Sequence, residues 1–208
     1  MIYIDEFLLI AIAHFFAVAS PGPDFAVVLK QSVQYGRHNA LWTSAGVGAA
    51  ILLHIAYCVL GVALVLTQSP SLFMALKYIA GAYLAYLGVQ ALRAAKPSNT
   101  SSEQTAKPIL VPESPCLAFR RGFFTNALNP KATLFFMSLF TLVISPTTPV
   151  IVQVGYGVYM ALATWAWFSI LSLLLSKARV RNFFQQSGYW FERGIGIILI
   201  ALAVRVVI

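Results

Sequence analysis

The stretch SPGPDF, Ser20 to Phe25, interrupts an apolar run that reads AIAHFFAVASPGPDFAVVL. A proline inside a helix removes a backbone donor and clashes with the preceding turn, at about 3 kcal/mol. An aspartate at membrane depth costs roughly as much again, about 3 kcal/mol. A hydrophobic helix that carries both must gain something from being broken, and the rest of the chain says what kind of protein gains from it.

The 208 residues are 60% hydrophobic and 10% charged, where a soluble domain carries about 25% charged residues. The apolar residues come in long runs, not in alternating or amphipathic patterns. The runs cover residues 10–35, 41–66, 72–92, 122–145, 150–175 and 190–208. Each is long enough for a helix that crosses a hydrocarbon core, which needs about 20 residues. The expected fold is therefore an all-α membrane protein of six transmembrane helices. No length remains for a soluble catalytic domain, so no enzyme is expected.

A net charge of +8 can signal nucleic acid, but its distribution points to a bilayer instead. Lys30 and Arg37 flank the first connection, Arg93, Lys96, Lys107, Arg120 and Arg121 the third, and Lys177, Arg179, Arg181 and Arg193 the fifth. The opposite side has Lys77 and Arg205, with Asp5 and Glu6 near the start. Under the positive-inside rule, connections one, three and five are cytoplasmic and both termini lie outside. The opening MIYIDE has no basic region of the signal-peptide kind, so the first helix is expected to stay in the mature protein. Cys58 in the second helix and Cys116 in a reducing compartment are not expected to pair.

The Ser-, Thr- and Pro-rich segment KPSNTSSEQTAKPILVPESP reads as a flexible linker, 96–118, between three-helix halves 1–95 and 119–208. An odd number of spans per half gives the halves opposite orientation, the arithmetic of a 3+3 inverted repeat. The second half repeats the opening device in NALNPKATLFF, where Pro130 is followed by Lys131 as Pro23 is followed by Asp24. Pairing Pro130 with Pro21 is the other alignment. Helices 1 and 4 are thus both expected to be broken by proline.

A broken helix leaves N–H and C=O groups that lipid cannot satisfy, so they face protein, water or a ligand. The half-helix after a break aims its positive end at whatever lies there, which suits a carboxylate. Unwound carbonyls and a nearby aspartate suit an ammonium. Pro21, Gly22, Pro23, Asp24, Asn126, Asn129, Pro130 and Lys131 form the candidate substrate or coupling site, with Lys131 the nearest counter-charge for Asp24. His14 and His54 are secondary candidates for proton relay. Thr164 and Trp165 are candidates for the lining of the path. No Cys/His/carboxylate spacing suggests a metal and no phosphate loop appears, so neither metal nor cofactor is expected. Small-residue stripes through Gly46, Ala50 and Gly61, and through Gly81, Ala85 and Gly88, read as close helix packing, within the chain or in a homodimer.

The segments SPGPDF, GVGAA, RRGFFTNALNPKATLFF and TWAWFS, together with the overall length, resemble the lysine-exporter (LysE/RhtB) superfamily of bacterial amino-acid efflux permeases. The likeness runs over essentially the whole chain and is nearest to the threonine and homoserine-lactone exporter branch. It implies six helices in the cytoplasmic (inner) membrane and export of a small amino acid or derivative by proton antiport. Partners are then the amino acid, protons and lipid, with no nucleic acid. A small-solute channel with a broken-helix pore is the competing class, because an Asn-Pro element inside a broken helix is also a pore-forming device.

Overall fold

A computed structural model describes residues 2–20, 22–93, 113–145, 147–175 and, in the last segment, 189–190, 192–194, 196–201 and 203–204. Seven α-helices are defined: α1 (Ile2–Ala19), α2 (Pro23–Gln34), α3 (Arg37–Gln68), α4 (Pro70–Leu92), α5 (Pro115–Ala127), α6 (Pro130–Leu142) and α7 (Val150–Leu175). The described residues of the last segment are helical too, and no strand occurs among the described residues.

The molecule buries many polar side chains beside its apolar core and exposes large apolar ones. Leu60, Ile79, Ile151, Leu162 and Ile170 are each more than half exposed, while Thr43, His54, Asn126, Ser138, Thr164 and Ser172 are buried. Water would penalise that arrangement and hydrocarbon rewards it. Buried hydroxyls are satisfied on backbone carbonyls across helix contacts. Thr43 donates to Ala118 O at 3.1 Å, Ser138 to Ala80 O at 3.2 Å, and Ser32 to Ser172 O at 3.0 Å. These bonds join α3 to α5, α6 to α4 and α2 to α7, as expected where lipid offers no partner.

Six spans were counted from the sequence; the helices divide that apolar length differently. Three are long and apolar enough to cross alone, Arg37–Gly61, Ser71–Leu92 and Val150–Leu174, and the pair Tyr3–Ala19 with Pro23–Gln34, bent by 53°, makes a fourth when counted as one span. The run at 122–145 is two helices of 13 residues, α5 and α6, and α5 carries Arg120 and Arg121. Neither alone approaches the length of a span. The first run begins earlier than its hydropathy suggests, at Ile2, and there the carboxylate of Glu6 is held by hydrogen bonds. Ser145 N, Thr148 Oγ1 and Tyr156 Oη all donate to its carboxylate, at 2.9, 2.9 and 3.2 Å. Of the expected linker, 96–118, residues 96–112 lie outside the described part, and α5 already begins at Pro115, capped by Ser114.

Helix α3 is central and packs against α2, α4, α5, α6 and α7. Its approach to α5 is backbone on backbone. A Cβ on Gly46 would run into the Phe119 carbonyl, and one on Gly122 into the Thr43 carbonyl. Gly88 of α4 and Gly196 of the last segment face each other in the same reciprocal way. The stripes through Gly46 and Gly88 are therefore used inside the chain. Phe135, Phe136 and Phe140 of α6 pack with Ile51, Ile55 and Met160 into the main core.

Candidate functional site

Both breaks place proline first and a charge second in the helix that follows. In the first, α1 ends at Ala19, Gly22 is the N-cap of α2, Pro23 is its first residue and Asp24 its second. In the second, α5 ends at Ala127, Asn129 is the N-cap of α6, Pro130 is first and Lys131 second. Proline suits the first helical position, where its missing N–H has no helical partner to lose. Pro23 thus matches Pro130, and Asp24 matches Lys131. Pro21 lies outside the described residues.

The two breaks meet and exchange contacts. Asp24 Oδ2 accepts from Asn126 Nδ2 at 3.0 Å and from Asn129 Nδ2 at 3.4 Å, both from the second break. Lys131 Nζ donates to Ser20 Oγ of the first break at 2.8 Å. Gly22 is also close to this ammonium: a Cβ there would sit 3.9 Å from Lys131 Nζ. The expected Asp24–Lys131 counter-charge pair is not formed; among the described residues the ion pair is Arg121–Glu113 at 2.9 Å. Each charge takes its side-chain hydrogen bonds from neutral groups of the opposite break, and Glu192 shares the cavity with them. The other aspartate oxygen, Oδ1, is buried with no hydrogen-bond partner among the described residues.

A cavity of about 220 Å³ opens between the breaks. Asp24, Lys131, Asn126, Asn129, Gly22 and Ser20 line its polar part. Leu87, Phe135, Phe136 and Phe168 supply apolar wall. Its size is below the usual 300–1,000 Å³ of drug-sized pockets and suits a small metabolite.

His14 and Thr164 also line the cavity, and they bond to each other, Nε2 to Oγ1 at 3.0 Å. His54 stands behind it, wholly buried, with Nε2 at 3.1 Å from Asn126 Oδ1 and Nδ1 against the Tyr57 hydroxyl. Trp165 is 48% exposed on the outer side of α7, where it meets Gly48 of α3, and is not part of the wall. Sequence reasoning passed over Ser20, Gln90 and Glu192, all of which line the cavity. Glu192 left a signal: it is the sole acidic residue after Glu113, set in the run YWFERGIG.

Two half-helices that begin at opposed charges around a small cavity, in an all-helical body with apolar spans, fit a membrane transporter. The comparisons give that class its family: residues 15–208 match the LysE type translocator model, and the chain belongs to that family. It is 26% identical over 202 residues to the threonine efflux protein of Escherichia coli (strain K12), with 97% of each chain covered. It is 33% identical over 198 residues to the leucine efflux protein of Salmonella choleraesuis (strain SC-B67), covering 91% of this chain and 89% of that one. No solved structure matches it. Members of this family are transporters, not enzymes.

Proposed function

We propose that the protein is a secondary active exporter of small amino acids or their derivatives, in the threonine, homoserine or homoserine lactone class, driven by protons across the bacterial inner membrane. The reading that α1–α2 and α5–α6 are each one broken span, in a six-span 3+3 inverted repeat with both termini outside, belongs to the same proposal. It is supported by the matching N1 proline and N2 charge of the two breaks, by the charge asymmetry of the connections, and by the named activities of the relatives.

One observation carries the substrate class. A carboxylate and an ammonium, each at the start of a half-helix, line one small cavity and are not paired with each other. An α-amino acid presents the complementary groups. Its ammonium takes the Asp24 side, and its carboxylate takes Lys131 and the positive end of α6. The hydrocarbon wall then receives the side chain. After release, protonation of Asp24 removes the buried charge and allows the empty carrier to return.

The test is a panel of amino acids differing in length and hydroxylation, loaded into proteoliposomes with an imposed pH gradient. Export of threonine or leucine-sized substrates that collapses with the gradient, and trans-stimulation by unlabelled substrate, are expected. Flux without trans-stimulation would make the protein a channel.

A further inference from the structure

We propose that His54, held by Tyr57, is a positioning residue that fixes the flip of the Asn126 amide and so aims a donor at Asp24. This deepens the exporter reading and rests on it for the meaning of Asp24, though the hydrogen-bond logic stands alone.

Asn126 can offer Asp24 either its NH2 or its oxygen, and only the NH2 suits a carboxylate. The choice is made on the far side of the amide. His54 Nε2 lies 3.1 Å from Asn126 Oδ1 and 3.2 Å from the Asn126 carbonyl oxygen, two acceptors that demand a proton on Nε2. The neutral ring then has only a lone pair at Nδ1, so the Tyr57 hydroxyl must donate to it. Every donor in the chain points the same way: Tyr57 to His54, His54 to Asn126, Asn126 to Asp24.

The ring is fixed in place as well as in tautomer. It stacks on Phe136 of α6 at 15° between planes and 5.3 Å between centroids. The groups facing it are Tyr57 of its own helix, Asn126 of α5 and Phe136 of α6, none of them a charge. His54 does not line the cavity. It therefore acts through Asn126 and never touches the solute. The second amide, Asn129, is oriented by a different device: its Oδ1 caps Lys131 N at 3.0 Å, which leaves Nδ2 for Asp24. The aspartate thus receives two donors whose orientations are set independently, one by a histidine and one by a helix cap.

The experiment uses the full-length protein in proteoliposomes, with threonine and leucine as probes. His54→Phe keeps the ring stack and removes both nitrogens. It is expected to raise KM about tenfold, the loss of one hydrogen bond to a charged group, with little change in maximal rate. In an Asn126→Ala background the same change is expected to add less than twofold, because the residue through which it acts is gone. Effects that multiply, or a fall in protein amount with KM unchanged, would make His54 a packing residue. A readout independent of transport keeps the two readings apart. Nitrogen-15 NMR of labelled histidine, with His54→Phe for assignment, should show the Nε2–H tautomer at His54. A Nδ1–H tautomer overturns the inference whatever is transported, whereas correct tautomer without threonine or leucine movement counts against the exporter reading alone.

Discussion

The two breaks put proline and charge at the same helix positions and are held open by different means. The second caps itself: Asn129 accepts from Lys131 N, and the carbonyl of Asn126 accepts from Asn129 N at 2.9 Å. The first has Gly22 at the N-cap, with extended backbone and no side-chain bond. Its order is borrowed from across the molecule, through the amides that reach Asp24 and the lysine that reaches Ser20. A self-sufficient break thus supports a dependent one, and the dependent one carries the acid.

Exchanging the charges should have the largest effect. If only opposite signs mattered, the double variant Asp24→Lys, Lys131→Asp would transport. The contacts predict otherwise, because Asn126 and Asn129 turn donors toward position 24 and would face a lysine. Export by the double variant is expected to stay as low as by either single one, at least about 100-fold down for two lost charge-assisted bonds, measured as initial rates in vesicles.

Asp24→Asn alone keeps the shape of the site and removes its charge. Export against a gradient should fall by about 10- to 100-fold, the range of one or two hydrogen bonds to a charged group. Retained substrate exchange in the same vesicles would place the aspartate in coupling. Normal export would move that role elsewhere.

The self-capping is read most directly at Asn129. Asn129→Ala should lower stability by about 1 kcal/mol, the usual cost of a lost N-cap. Asn129→Ser keeps a cap but has no amide for Asp24. It should restore thermal stability in detergent without restoring substrate affinity. If serine restores both, the second donor on Asp24 is unimportant.

At the small end stands Gly22→Ala. The glycine has φ −170°, extended backbone that alanine also adopts, and a Cβ would find only ordinary contacts at 3.9 Å. Export should change less than about twofold, because no strain arises. A larger loss would mean that the first break needs glycine during the cycle.

Much of this was legible in the sequence because membranes constrain patterns so strictly. The breaks were found from two proline–charge pairs, Pro23–Asp24 and Pro130–Lys131, and these occupy equivalent helix positions. The asparagines near Pro130 were found for the same reason. What the sequence could not supply was the partner of each charge. Linear order suggests that Asp24 and Lys131 neutralise each other, and only the folded geometry shows each held by neutral groups of the opposite break. Glu192 was passed over because an acid beside Arg193 near a span end looks ordinary. Trp165 was drawn in by its neighbour Thr164, but adjacent helical residues lie about 100° apart and do not share a face.

The Gly46–Gly122 crossing has a mechanical meaning. There α3, from one half of the chain, touches α5, from the other, with no side chains between them. Side chains that interdigitate make a toothed joint, which must climb over rotamer barriers to move. Two backbones pressed together have no rotamer to change, and Thr43 Oγ1 on Ala118 O pins the crossing. The seam therefore sets the spacing of α3 and α5 to within a bond length, and a bulkier residue at either glycine would prise Asn126 of α5 from His54 of α3 without altering a single side chain of the site.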